Sequence, residues 1–293
     1  MQAGPLLLSI DQGTTGTRAC LFDAAGRCLA RAYRELTPRY PQPGWVEEDP
    51  DEIWDSTVTC LREVLQAVPD APGRLAAVGV TNQRETTVAW DAASGRPLHP
   101  AIVWQCRRTA PECERLKREG HEEFIRRRTG LVLDAYFSGT KMAWLLQHAE
   151  PVRRAAAAGR LRLGTVDSWL IWNLTGGRRH VTDASNASRT LLFDLHRLRW
   201  DDDLLALLGV PAAALPEVGP SAGEVGRTAA LALGGGVALP AGVPVAGVAG
   251  DQQAALFGQA CLQPGMVKNT YGTGCFVLMH TGERPVASAS GLL

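Results

Sequence analysis

The 293-residue sequence lacks most of the short signatures from which chemistry is usually read. It has no excess charge: 30 Lys and Arg balance 30 Asp and Glu. The basic surplus that favours nucleic acid or an anionic membrane surface is therefore missing, and neither partner is expected. It has no C-x-x-C pair, and its seven cysteines are odd in number and scattered at 20, 28, 60, 106, 113, 261 and 275. That pattern argues against a disulfide framework or a structural zinc site and for free thiols in a reducing cytosol. Six histidines never fall at H-x-x-x-H spacing, so histidine ligation of a metal is not expected. There is no G-x-x-x-x-G-K-[ST] loop, and no G-x-G-x-x-G follows a strand-like run. No apolar stretch approaches the length that crosses a bilayer. The first apolar run, residues 6–10, has no basic residue before it and meets Asp11 at once, unlike a secretory signal. A cytoplasmic protein is expected.

What is present is ordinary globular composition, 45% hydrophobic and 20% charged, in a chain long enough for one large or two ordinary domains. Residues 6–10 read as a strand, 12–16 as a turn cluster and 17–22 as the returning strand; Gly26 precedes a third at 28–34, giving an antiparallel meander. Asp49-Pro50-Asp51-Glu52 reads as a helix start, with Asp49 as cap, Pro50 at the first helical position and Glu52 completing a capping box. Ile53, Trp54, Val58, Leu61, Val64 and Leu65 follow at helical spacing. Further strands are expected at 75–81, 86–90, 101–104 and 243–248. Residues 107–128 read as a solvated helical region that includes the Arg126-Arg127-Arg128 run. Residues 166–174 read as a buried helix, 201–208 as a short amphipathic helix, 234–244 as a loop, 251–258 as a helix and 266–279 as a second hairpin. Strands followed by alternating strands and helices indicate an α/β layered architecture.

Four segments carry candidate chemistry. The run Asp11-Gln12-Gly13-Thr14-Thr15-Gly16-Thr17-Arg18 sets a carboxylate at a strand end beside a Gly/Thr turn. Its N–H groups and hydroxyls suit phosphate oxygens, and Asp11 suits Mg²⁺; an ordinary hairpin turn is the competing reading. Thr270-Tyr271-Gly272-Thr273-Gly274 repeats the same physics, as two jaws around a polyphosphate would. Asp251 sits just past a strand among small residues. It reads either as a helix cap or as a general base for an attacking hydroxyl. Arg84 and Glu85 read either as a surface ion pair or as a grip on neighbouring hydroxyls of a polyol, the first donating and the second accepting. Trp104 and Tyr136 are either core residues or an apolar wall against a carbon skeleton.

The strings DQGTTGTRA, YPQPGWVEEDP, TNQRETT, IVWQCRRT, YFSGTK, TVDSWLIW, VTDASNASRT, AGDQQAALFGQ and KNTYGTGCF run in order across almost the whole chain. Together they resemble the glycerol kinases of the FGGY carbohydrate-kinase family. The resemblance implies an actin-like (ribonuclease H-like) ATPase fold with an active site in the cleft between two domains. Residues 1–250 would be the complete glycerol-binding N-terminal domain. Residues 251–293 would be the truncated start of the C-terminal nucleotide-binding domain. It implies ATP as co-substrate, glycerol as acceptor and Mg²⁺ as cofactor; full-length relatives are often homodimers or homotetramers. By the same resemblance Asp11 would bind Mg²⁺. Thr14, Thr15, Gly16 and Arg18 would contact nucleotide phosphates, and Gly272 and Thr273 would form the second phosphate hairpin. Arg84, Glu85, Trp104, Tyr136, Asp251, Gln252 and Phe276 would line the glycerol pocket, with Asp251 as the base.

Three departures stand out. Gly16 occupies a position where many relatives have serine, leaving only its N–H for a phosphate. The 234–244 segment lacks the basic residue that some bacterial members use for sugar-phosphate inhibition. Relatives continue beyond Leu293 into the adenine pocket, so the strands after 251 are expected to leave unpaired edges and an exposed apolar face. Three readings follow: a glycerol kinase whose chain is incomplete here, a relative acting on a pentulose or other polyol, and a non-catalytic polyol-binding fragment.

Overall fold

Leu6, Leu8 and Ile10 lie two residues apart, as do Thr17, Ala19 and Leu21, and a strand places residues two apart on one face. In the computed structural model, which describes residues 4–272, 274–286, 288 and 290–293, all six are buried on that face. The expected meander is present as Leu6–Gly13, Gly16–Asp23 and Cys28–Glu35. Leu75–Asn82 joins the first strand in parallel, and Pro244–Gly250 lies parallel to Leu75–Asn82. Ala222–Arg227 closes this six-stranded mixed sheet as an antiparallel edge.

The helix Pro50–Ala67 covers the buried face through Ile53, Thr57, Cys60, Leu61 and Val64. Asp49 caps it as expected, its carboxylate accepting the Asp51 N–H at 3.0 Å. Glu52 does not close a capping box. Its Oε1 instead accepts the Thr37 N–H at 3.0 Å, so a tertiary partner displaces the local one and ties the helix start to the exit of the third strand.

A second, four-stranded sheet is formed by Glu47–Glu48, Ala101–Ile102, Thr87–Asp91 and Leu161–Thr165. The buried helix Val166–Leu174 contacts strands of both sheets, and its Trp169 meets Trp90 edge-on with centroids 5.4 Å apart. The expected solvated region after 107 resolves into the helices Ala110–Arg118 and Glu122–Thr129. Each buries one stripe, through Cys113, Leu116 and Ile125, in a second core under the smaller sheet. The expected loop at 234–244 is partly a hairpin. Leu231–Gly234 pairs with Val237–Leu239, and Gly235 and Gly236 turn the chain at φ +60 and +76, a left-handed pair that a tight hairpin turn needs.

After the helix Asp251–Gly258 the chain forms the hairpin Val267–Tyr271 and Cys275–Met279. Among the described residues it pairs with no other strand, and Val267, Tyr271, Val277 and Met279 are exposed. The unpaired edges expected there are present.

Asp49→Ala is expected to lower unfolding stability by about 1 kcal/mol in a urea titration, the usual loss on removing an N-cap oxygen.

Candidate active site

Three parallel strands end at one level. Gln12 pairs with Asn82, and Asn82 pairs with Gly250. The residues that follow, Gly13, Gln83 and Asp251, therefore leave the sheet side by side at its carboxyl edge, where α/β sheets bind ligands. Asn82 is locked from below by a reciprocal amide pair with Asn186, both bonds 3.1 Å.

Gln83 begins a buried polar chain. Its N–H donates to Gln12 O at 2.6 Å, and its side-chain Nε2 donates to Glu48 Oε2 at 2.7 Å. Thr86 Oγ1 donates to Gln83 Oε1 at 2.8 Å and accepts the Trp104 N–H at 3.2 Å. Burial pushes the Glu48 carboxyl up to about 8, against the opposing Gln83 hydrogen bond, and its Oε1 has no partner among the described residues. This chain holds Arg84, Glu85 and Trp104 at fixed height above the sheet edge.

Arg84 is buried, and its Nε donates to Asp251 Oδ1 at 3.1 Å. The small residues before Asp251 have a specific use: a Cβ on Gly250 would lie 2.5 Å from Arg84 Cδ, so glycine makes room for the arginine rather than for a ligand. Gly250 holds the cap position of the following helix, and Asp251 is its first residue rather than its cap. Asp251 Oδ1 also accepts the Gln252 N–H at 2.8 Å, and Oδ2 accepts Gln252 Nε2 at 3.2 Å. Lys268 reaches from the second hairpin to donate to Gln252 Oε1, and to Thr270 Oγ1 at 2.7 Å.

Glu85 is buried with a left-handed backbone, φ +62, which is uncommon for a residue with a Cβ. Trp104 donates its indole N–H to Thr14 Oγ1 at 2.9 Å, its ring meeting Tyr136 at 5.5 Å and Phe276 at 6.3 Å. Burial and the nearby Glu85 push the Tyr136 phenol up to about 12, so it stays a hydrogen-bond donor at neutral pH. A Cβ on Gly274 would lie 2.5 Å from the Phe276 ring, and its absence lets that ring fold back over the site. These groups enclose a cleft of about 200 Å³.

The cleft gathers Arg84, Glu85, Trp104, Tyr136, Asp251, Gln252, Phe276, Thr14, Thr15 and Gly272. Three sequence candidates do not line it. Asp11 and Arg18 face one another at 3.5 Å across the first two strands, on the sheet face opposite the long helix. Burial raises the Asp11 carboxyl, while Arg18 lowers it. Gly16 is buried, and a Cβ there would lie 2.4 Å from Arg34 O and 2.5 Å from the Tyr33 hydroxyl, so a side chain at this position needs a different third strand. Thr273 lies outside the described residues. Arg18 and Tyr33 border a separate, larger depression of about 610 Å³ that holds no carboxylate. The cleft also includes Gln83 and Thr270, which lie in candidate segments of the sequence but carry no expected role of their own. Their signal was present, since both lie inside the quoted strings TNQRETT and KNTYGTGCF.

Residues 6–258 match the N-terminal domain of the FGGY family of carbohydrate kinases. The chain belongs to that family. Among FGGY relatives, glycerol kinase 2 of Thermotoga maritima is 57% identical over 287 residues, covering 98% of this chain and 57% of the relative. The glycerol kinase of Halorhodospira halophila is 59% identical over 287 residues, with 98% and 56% covered. The chain thus spans little more than half the length of these relatives. The crystal structure of Plasmodium falciparum glycerol kinase with ADP superposes with a TM-score of 0.92 at 33% identity, over 99% of this chain and 57% of that one. A xylulose kinase from Rhodospirillum rubrum follows with a TM-score of 0.83 at 29% identity, over 93% and 54%. The expected α/β, actin-like fold of the FGGY kinases is the one observed.

Glu48 carries a pH prediction. Its proton is held more tightly in the folded chain than in the unfolded one, so this contribution is complete below pH 4.5 and is lost as pH rises toward about 8. Glu48→Gln keeps the acceptor for Gln83 and cannot ionise. The variant is expected to gain about 1 kcal/mol or more over wild type between pH 5 and pH 8 in urea unfolding, since each pH unit of such linkage is worth at most ~1.4 kcal/mol. An equal difference at both pH values would mean that Glu48 is ionised throughout.

Proposed function

We propose that this chain carries the polyol site of an ATP-dependent glycerol kinase, the enzyme class that makes glycerol 3-phosphate from glycerol. One observation carries the reading: Arg84-Glu85 and Asp251-Gln252 meet across a cleft of about 200 Å³ walled by Trp104, Tyr136 and Phe276. Charged donors and acceptors for hydroxyls opposite an aromatic wall for C–H groups are what a small polyol requires. The relatives' names support the same substrate.

In the proposed mechanism Arg84 donates to a substrate hydroxyl and Glu85 accepts from a neighbouring one. Asp251 takes the proton of the attacking hydroxyl. Among the described residues its two oxygens accept three hydrogen bonds, which leaves lone-pair capacity for that proton. Catalysis then comes mainly from orientation and charge stabilisation around the transferred phosphoryl group. In this reading the hydroxyls of Thr14 and Thr15, the Gly16 N–H and Arg18 would meet phosphate oxygens from one turn, and Gly272 from the other; Thr273, expected beside Gly272, lies outside the described residues.

Among the described residues no group of three or more acidic, cysteine or histidine side chains is placed to hold a metal. A single carboxylate at Asp11 fits Mg²⁺ that arrives with nucleotide phosphates as its other ligands. Asp11 would hold it, with Arg18 steadying the carboxylate, and the ion would offset phosphate charge. Residues 1–250 form the polyol domain in this reading, and 251–293 begin the nucleotide domain. Seven free thiols fit a reducing cytoplasm, and no described helix is long and apolar enough to cross a membrane.

The test is glycerol-dependent ADP release from MgATP, by this chain and by a C-terminally extended one. The extended chain is expected to turn over glycerol in preference to pentuloses, and better turnover of a pentulose would overturn the substrate assignment. In that chain Asp251→Asn is expected to lower turnover by roughly 10²–10⁴-fold, the usual contribution of a general base, with glycerol affinity little changed. Near-normal turnover removes Asp251 from the role of base.

A further inference from the structure

We propose that Arg189 is a positioning residue that aims the Glu85 carboxylate into the cleft and so sets the requirement for a substrate hydroxyl at that point. The proposal rests on the polyol reading above and names a residue that reading does not use.

Arg189 follows the short helix Ala184–Ala187 and does not line the cleft. Its Nε donates to Glu85 Oε1 at 2.5 Å, with side-chain exposures of 15% for Arg189 and 2% for Glu85. The guanidinium is held in turn by aromatic faces, 4.9 Å from the Phe137 centroid and 5.6 Å from that of Tyr136. A planar guanidinium stacks in this way and donates along a fixed direction; an ammonium does neither.

The same unit grips the Glu85 backbone. Ser138 Oγ donates to Glu85 O at 3.1 Å, and Ser138 N donates back to Arg189 O at 3.4 Å. Thr87 Oγ1 donates to Glu85 O at 3.2 Å. Glu85, Ser138 and Arg189 thus form a closed ring of contacts around a residue at φ +62. A left-handed backbone of this kind persists only where its surroundings over-determine it, and such strain collects at binding sites.

The consequence is chemical. An ionised carboxylate is an acceptor only, with two oxygens. Arg189 occupies Oε1, and among the described residues no protein donor reaches Oε2. The available oxygen belongs to a residue of the cleft wall, so it accepts an O–H from a ligand and has nothing to offer a C–H in the same place. Without Arg189, rotation about the glutamate side chain spreads that acceptor over several directions, and the hydroxyl requirement weakens.

The experiment uses the 293-residue chain and reads glycerol binding by titration calorimetry, with circular dichroism melts as the folding control. Wild type is compared with Arg189→Met, Arg189→Lys, Glu85→Gln and the Glu85→Gln/Arg189→Met double variant. The same series is titrated with 1,2-propanediol and 1,3-propanediol, which each lack one hydroxyl. Arg189→Met is expected to weaken glycerol binding at least ~10-fold and to narrow the preference for glycerol over at least one diol, as loss of an aimed hydrogen bond to a charged group does. Arg189→Lys, which carries the comparison should the methionine variant fail to fold, is expected to fall between the two. In the Glu85→Gln background the Arg189 change is expected to have little further effect, because one acts through the other. Losses that multiply in the double variant, or Arg189 variants that fold and discriminate like wild type, overturn the inference alone. A wild-type chain that binds none of the three alcohols overturns the polyol reading itself, and the inference with it.

Discussion

The parallel register of three strands governs everything at the cleft. Gln12, Asn82 and Gly250 stand level across the sheet, so the loops that follow are launched from one line although they lie far apart in the chain. A slip of one residue in either pairing would turn the outgoing side chains to the opposite face of the sheet, since strand side chains alternate. The reciprocal Asn82–Asn186 amide pair reinforces this register with a contact that hydrophobic packing alone does not supply. Two partnered amides tolerate burial, whereas one without the other leaves an unmet donor and acceptor in the core.

Above that line the site is built in two polar tiers. The lower tier, Glu48, Gln83 and Thr86, is uncharged in effect, because burial favours the protonated Glu48. The upper tier carries the charges in opposed pairs, Arg84 with Asp251 and Glu85 with Arg189. Pairing is what allows buried ions at all, since an isolated one is strongly destabilising. It also assigns geometry, because each guanidinium claims one carboxylate oxygen and leaves its partner for another donor. The aromatic wall of Trp104, Tyr136 and Phe276 lines the same space with low-polarity surface, and charge interactions are stronger beside such surface than in open water.

Much of this was legible in the chain. The short apolar run at 6–10 marked the first strand, and Asp49-Pro50 marked the start of the long helix. The strings around Arg84, Trp104, Tyr136 and Asp251 named the residues that now share a cleft. The capping box expected at Glu52 is not formed because Thr37, from another part of the chain, takes the same carboxylate. The 234–244 loop was misread because glycine clusters mark turns without showing whether the flanks pair. Arg189 escaped notice because one arginine in a polar string has no local signature; its meaning lies in Glu85, 104 positions away.

The sequence alone determined the family, the α/β layering and the inventory of acids, bases and aromatic residues, because these depend on local pattern and residue chemistry. Only the tertiary structure decided which acid faces which base. It placed Arg84 over Gly250 against Asp251, held Glu85 in a left-handed turn with Arg189 behind it, and set Asp11 and Arg18 outside the cleft wall. The physical reason is that hydrogen bonds and ion pairs act over a few ångströms in space, and strand register and core packing, not distance along the chain, bring such partners within reach.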